Sequence, residues 1–197
     1  MDVEPITLEG TYVRLEPLSE ERHLDGLQET GSDPAIFRWF RESLDEPGRM
    51  QQWVEDAIKA REAGTALPFA TVHQASDTVV GSTRFGNIAP RHDRVEIGWT
   101  WLTPDRQRTP ANTEAKYLML CHAFETWGCM RVEFKTDARN RASRAALERI
   151  GATEEGMLRQ HMNTHSGIRD SVYFSIVDTE WPLVKANLYE KLTESVE

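Results

Sequence analysis

The stretch from Val95 to Phe124, VEIGWTWLTPDRQRTPANTEAKYLMLCHAF, reads as a strand, a short charged loop and a helix. Val95, Ile97, Trp99 and Trp101 alternate with Glu96, Gly98 and Thr100, the period-two pattern of a strand with two faces. Glu96 is therefore expected to point away from the tryptophans. From Ala115 the period changes, and Leu118, Met119, His122 and Ala123 recur three and four apart, so one stripe of a helix turns to a core. Between the two, DRQRTPANT sets Arg106 and Arg108 just before a helix start, where unpaired backbone amides and the positive dipole end favour an anion. The loop reads as a phosphate seat; a capped helix start that binds nothing is the other reading of the same residues.

Upstream, YVRLEPL from Tyr12 to Leu18 has the alternation of a half-exposed strand ending near Pro17, and Ser19 followed by Glu20 and Glu21 caps a helix. Gly31-Ser32-Asp33-Pro34 breaks that helix. The next segment gathers Ile36, Phe37, Trp39 and Phe40, which suit either a core or the wall of a ligand pocket. A helix is predicted from Pro47 to about Ala63, with Met50, Trp53, Val54, Ala57 and Ile58 at helical spacing and Gly64 as its stop. PFATVHQA and VVGSTRFGNI, joined through Ser76-Asp77-Thr78, form a predicted hairpin. His73 and His92, near strand ends, read as solvated rather than as ligands.

Downstream, Arg131 to Asp137 alternates as a strand, and Asn140 caps a helix whose stripe is Ser143, Ala146, Leu147 and Ile150, so Ser143 is expected to face inward. Two strands around Thr164-His165-Ser166-Gly167 and a short helix at WPLVKANLYEKL close the chain. The order implies an α+β (mixed α/β) fold with helices on both faces of a sheet.

The chain has 197 residues, which fits one domain spanning 1–197 with a sizeable core. Acidic residues outnumber basic ones, 32 to 23, for a net charge of −9, which argues against nucleic acid as the partner and suits a cationic or amine substrate. The apolar runs are too short to span a bilayer, and MDVEPITLEG is acidic where a signal peptide is basic, so a cytoplasmic protein with no membrane association is expected. Cys121 and Cys129 have neither metal-site nor CxxC spacing and read as free structural thiols; no metal site is expected.

YVRLEPL, EIGWTWL, QRTPANTEA, HAFETWGCMRVEFKTDARNRASRAALERIGATEEGMLR and RDSVYFSIVDTEW agree in type and order with one family. Over nearly its whole length the chain resembles the GCN5-related N-acetyltransferase superfamily, and in wording its ribosomal-protein N-terminal acetyltransferase branch. The resemblance implies a central mixed, mostly antiparallel sheet of about seven strands with a splayed strand pair. It also implies acetyl-coenzyme A as the acetyl donor and a primary amine, a protein N-terminus or a small molecule, as the acceptor.

In the family, the backbone amides of a Gln/Arg-x-x-Gly-x-Gly/Ala loop hold the cofactor pyrophosphate. Here Gln107, Arg108, Thr109, Pro110, Ala111 and Asn112 occupy that loop, with Pro110 at the first glycine and Asn112 at the second small position. Proline has no N–H to give, but Thr109 and Pro110 are a good N-cap and N1 pair, so the amides of Ala111, Asn112 and Thr113 are expected to serve. By the same resemblance, Trp101, Leu102 and Thr103 at the strand end contact the pantetheine arm, and Asn140 meets its thioester end.

Glu96 matches the glutamate that acts as base in some relatives, with Asp170, Glu133 and His161 in reserve; an ion-paired glutamate on the polar side of the sheet is its other reading. The position where many members carry a tyrosine acid is Leu147 here, and Ser143 matches the serine of the ribosomal-protein branch. Phe37, Trp39, Phe40 and Trp99 are candidates for the acceptor side. Three functions stay open: an N-acetyltransferase of amines, a coenzyme A-binding protein without catalysis, and an antibiotic-modifying acetyltransferase. A homodimer is common in the family, and no stretch marks an interface.

Overall fold

Alternating residues build the sheet and helical stripes cover it. The computed structural model describes residue 1 and residues 3–194. Among these, β1 (Leu8–Glu9), β2 (Val13–Pro17), β3 (Leu67–His73), β4 (Thr78–Ala89), β5 (Arg94–Leu102), β6 (Arg131–Asp137), β7 (Thr153–Thr164) and β8 (Gly167–Val177) form one sheet. Its order is β1-β2-β3-β4-β5-β6-β8-β7, antiparallel throughout except for the β5–β6 pair. The short β1 accounts for the eighth strand where about seven were expected.

Among the described residues five α-helices cover the sheet: α1 (Glu20–Thr30), α2 (Arg49–Glu62), α3 (Pro110–Cys121), α4 (Arg141–Arg149) and α5 (Trp181–Glu194). On one face Leu18, Leu27, Phe37, Val54 and Ala57 pack with Trp101 beneath α1 and α2. On the other, Val95, Ile97, Met119, Leu120, Leu147, Trp181 and Leu188 join β5 to α3, α4 and α5. Ser19 caps α1 as predicted, its hydroxyl accepting the Arg22 amide.

Three boundaries differ from the sequence reading. The second helix starts at Arg49 rather than Pro47, because Gly48 at φ 76° sits in the left-handed region and ends the preceding turn. The periodic stripe through His122 is not one α-helix: α3 ends at Cys121 and a π-helical turn carries the chain from His122 to Thr126, burying His122, Ala123 and Phe124. The closing helix runs 14 residues rather than being short, since Trp181, Val184, Leu188 and Leu192 all find core to bury against.

The larger correction concerns β5. Gly98 pairs with Arg84 and Trp101 with Ser82, so Trp99 and Thr100 together stand opposite Thr83. That is a β-bulge, with Trp99 at φ 52° as its left-handed residue. The extra residue resets the alternation. Val95 and Ile97 face α3, but Trp101 faces α1 and α2, and the Trp99 ring lies over Gly86, the register partner of Glu96. The two tryptophans therefore share Glu96's side of the sheet instead of opposing it.

The N-terminal segment is tied down by one buried carboxylate. Glu114 of α3 accepts the backbone amides of Thr11, Tyr12 and Val13 at 2.7, 2.7 and 2.8 Å. Gly10 is required beside it, because a Cβ there would stand 2.4 Å from the carboxyl carbon. Glu114→Ala leaves these amides without their charged acceptor and is expected to lower unfolding stability by roughly 3 kcal/mol in urea titration; a loss below about 1 kcal/mol contradicts this account of how the segment is held.

Candidate active site at the strand splay

β5 and β6 are hydrogen-bonded only from Arg94–Glu96 against Arg131–Glu133. Beyond that point β5 continues to Leu102 beside β4, while β6 continues to Asp137 beside β8. A cavity of about 660 Å³ occupies the resulting gap. Its walls come from both faces of the sheet: Gln107, Asn112, Lys116, Asn140, Ser143 and Leu147 on the α3–α4 side, and Trp39, Phe40, Trp53, Asp56, Arg84 and Trp99 on the α1–α2 side. Glu96, Gly98, Trp101 and Leu102 of β5 run between them. The cleft thus passes through the sheet, giving two approaches that meet at one strand.

At the loop before α3, Thr109 is the N-cap and Pro110 the first helical residue, as predicted. The Thr109 hydroxyl accepts the Ala111 amide at 3.3 Å. Of the three amides expected to be open, Ala111 is therefore already capped; Asn112 lines the cavity, and Thr113 is buried behind it. Arg108 is exposed with φ 61°, and Arg106 turns back to Asp105 and His73. The Gln107 side chain donates to the Leu102 carbonyl at 3.0 Å, which fastens the loop to the end of β5. The Thr103 amide donates to Val80. Thr113 accepts a bond from Arg149 at 2.9 Å, linking α3 to α4. Arg108, Thr109, Pro110, Ala111, Thr103 and Thr113 do not line the cavity; Trp101, Leu102, Gln107, Asn112 and Asn140 do.

Asn140 caps α4, its carbonyl oxygen accepting the Ser143 amide at 3.1 Å, so the two residues are fixed together at the cavity wall. Ser143 is half-buried there, beside the buried Leu147. Glu96 is 4% exposed, accepts from Asn87 at 2.6 Å and pairs with Lys135 at 3.4 Å. The ion-paired reading of this glutamate is met, and its side chain also lines the cavity.

The reserve carboxylates are otherwise engaged. Glu133 bonds Arg94 and Arg131, and Asp170 accepts the Gln160 amide. His161 bonds Ser171 outside the cavity. Trp39, Phe40 and Trp99 line the α1–α2 side, but Phe37 is fully buried, edge-on to Phe40 and Trp101, so it braces the wall from behind.

Three buried basic residues at the cavity were missed by sequence reasoning; one of them, Arg169, donates to the Ser171 hydroxyl at 3.0 Å and to the Trp39 carbonyl at 3.5 Å. Lys116, 5% exposed, donates to Thr100 at 2.6 Å and to Thr83 at 3.2 Å, directly under the bulge. The available signal was its place three and four residues before the buried Met119 and Leu120, on the inward stripe of α3. Arg84, also buried, lies over the rings of Trp53 and Trp99. Its alternation with Phe85, which packs in the α3-side core, is the only sequence signal it carries.

Residues 13–153 match the acetyltransferase (GNAT) domain family. The chain belongs to this family. It is similar to YdaF of Bacillus subtilis (strain 168), named only provisionally as a ribosomal N-acetyltransferase, with 30% identity over 104 residues, 53% of this chain and 56% of YdaF. The chain thus spans a little over half the length of that curated relative. A GCN5-related N-acetyltransferase from Brucella melitensis superposes with a TM-score of 0.90 at 35% identity, covering 96% of this chain and 86% of that one. The Mycobacterium smegmatis RimJ, solved in complex with CoA-disulfide, has the same fold at a TM-score of 0.84 and 20% identity, with 96% of each chain covered.

Burial with no carboxylate partner pulls the Lys116 ammonium down to about 7 from 10.5. Between these values the unfolded chain holds a proton that the folded chain has released, so this group makes stability rise with pH across that window and weakens the fold below it. Lys116→Met, with Thr83 and Thr100 still bonded to each other at 2.8 Å, is expected to raise the melting temperature more at about pH 6 than at about pH 9.5. A gain independent of pH contradicts the buried, neutralised amine.

Proposed function

We propose that the chain is an acetyl-coenzyme A-dependent N-acetyltransferase that acetylates a primary amine, on a protein N-terminus or a small molecule, by direct attack with donor and acceptor bound together. The observation that carries this reading is the cavity through the splay. Its α3–α4 side offers a helix start, a strand end and small polar groups, and its α1–α2 side offers aromatic walls, with Glu96 within reach of both. The helix start and the half-freed edge of β5 fit an extended chain ending in a pyrophosphate. Asn112, Thr113 and the loop from Gln107 to Ala111 would hold that pyrophosphate, Trp101, Leu102 and Thr103 the arm, and Asn140 its reactive end. RimJ, in complex with CoA-disulfide, supports the same assignment for the cofactor.

The bound cofactor supplies an activated acetyl thioester. An amine attacks only when neutral, so Glu96 is assigned as the base that takes its proton, directly or through water. Ser143 is assigned as the donor of the proton that the departing sulfur needs. Trp39, Phe40 and Trp99 are assigned to the acceptor side, where they exclude water from the amine. No described helix is long and apolar enough to cross a membrane, and we assign the enzyme to the cytoplasm.

A coenzyme A-binding role without catalysis is favoured by one observation: Leu147, not a proton donor, stands beside Ser143 at the cavity wall. Thiol release from acetyl-coenzyme A across a panel of amines, aminoglycosides included, separates the readings. Turnover is expected, and Glu96→Gln and Ser143→Ala are each expected to lower kcat on the order of 10²-fold with the KM for acetyl-coenzyme A little changed. Binding without turnover, unaltered by Glu96→Gln, overturns the enzyme. Separately, Pro110→Gly returns a backbone N–H to the loop and is expected to tighten coenzyme A binding in calorimetry. An unchanged or weaker dissociation constant shows that proline costs no affinity.

A further inference from the structure

Arg84 is a buried cation with nothing to bind. Its side chain is 7% exposed, and its Nε and Nη2 atoms are buried without a hydrogen-bond partner. Among the described residues no carboxylate comes within ion-pair distance of it. What holds it is aromatic: the guanidinium centre lies 4.9 Å from the Trp53 ring and 5.2 Å from the Trp99 ring. Trp99 reaches this position through its left-handed bulge conformation, and it can lie there only because Gly86 lacks a Cβ, which would stand 2.4 Å from the indole. Burial lowers the guanidinium to about 10, which leaves it charged at neutral pH.

An unpaired charge in such a place is costly to the fold, and the cost is removed by an anion. Nε and Nη2 share one edge of the guanidinium, the edge that presents two parallel N–H bonds to a carboxylate. Gly98 stands opposite Arg84 on β5 and adds no side chain above it. Glu96 lies two residues along the same face, paired with Gly86, and its Oε1 reaches back to within 3.3 Å of where a Gly98 Cβ would stand. Asp56 also lines this side of the cavity and favours the charged guanidinium from a distance.

We infer that Arg84, stacked on Trp53 and Trp99, is an anion site for the acceptor, and that the amine acetylated here carries a carboxylate a few bonds away. The inference rests on the acetyltransferase reading only for the word acceptor. The carboxylate is either that of a free amino acid or an acidic side chain at the start of a peptide, and matched probes distinguish these sources.

Calorimetric titration in the presence of coenzyme A reads the site without turnover, using L-glutamate against glutaminamide, and tetrapeptide amides beginning Glu against those beginning Gln. Carboxylate-bearing probes of one source are expected to bind at least tenfold more tightly than their neutral partners. Arg84→Met, which removes a buried charge and should melt no lower than the parent, is expected to abolish that difference while leaving coenzyme A affinity unchanged, and Arg84→Lys is expected to restore part of it. Thiol release with the same pairs is expected to show the preference in KM rather than kcat. Equal binding of charged and neutral partners, or an equal loss for both in Arg84→Met, overturns the anion site. Carboxylate binding lost in Arg84→Met without any thiol release keeps the anion site and overturns the enzyme.

Discussion

The parting of β5 from β6 after three rungs is the constraint from which the site follows. Parallel strands that stayed paired to their ends would close the sheet across the cavity. Each strand instead keeps its other neighbour: β5 stays on β4 to Leu102, and β6 stays on β8 to Asp137. The bulge at Trp99 lies just past the last shared rung, where extra twist bends β5 away. A bulky residue in the left-handed region is an outlier that the surroundings must enforce. Here Gly86 makes room for its ring, and Thr100 is fastened from below by Thr83 and Lys116.

Much of the fold was legible because its devices are local. Ser19, Thr109 and Asn140 each cap the helix that their side chains suit, and the hairpin turns fall where short polar runs interrupt alternation. The family resemblance supplied the mixed sheet and the splay, which periodicity alone does not. What escaped was set by tertiary contacts. Strict alternation put Glu96 opposite the tryptophans, and a single inserted residue reversed that. The aromatic cluster at residues 36–40 was split by packing: Phe37 lies under the wall, Trp39 and Phe40 on it.

The electrostatics of the cavity run against the composition of the chain. A net charge of −9 suggested a cationic acceptor, yet Lys116, Arg84 and Arg169 are buried at the cavity with no ion pair to a carboxylate among the described residues. Most other basic groups are neutralised in pairs, such as Arg131 with Glu133 and Glu155, or Arg14 with Glu16. Composition reports the surface, where charge serves solubility, and the cavity follows its own chemistry. Arg84 keeps its charge at neutral pH, and a ligand that brings a negative charge to the α1–α2 approach suits it.

The central claim is that the gap between β5 and β6 holds the acetyl donor next to Glu96. A crystal structure grown with coenzyme A tests it most directly. The pyrophosphate is expected at the start of α3 near Asn112, the pantetheine arm along Trp101 and Leu102, and the thiol between Ser143 and Glu96. A coenzyme bound elsewhere, or with its thiol outside the cavity that both approaches share, contradicts it.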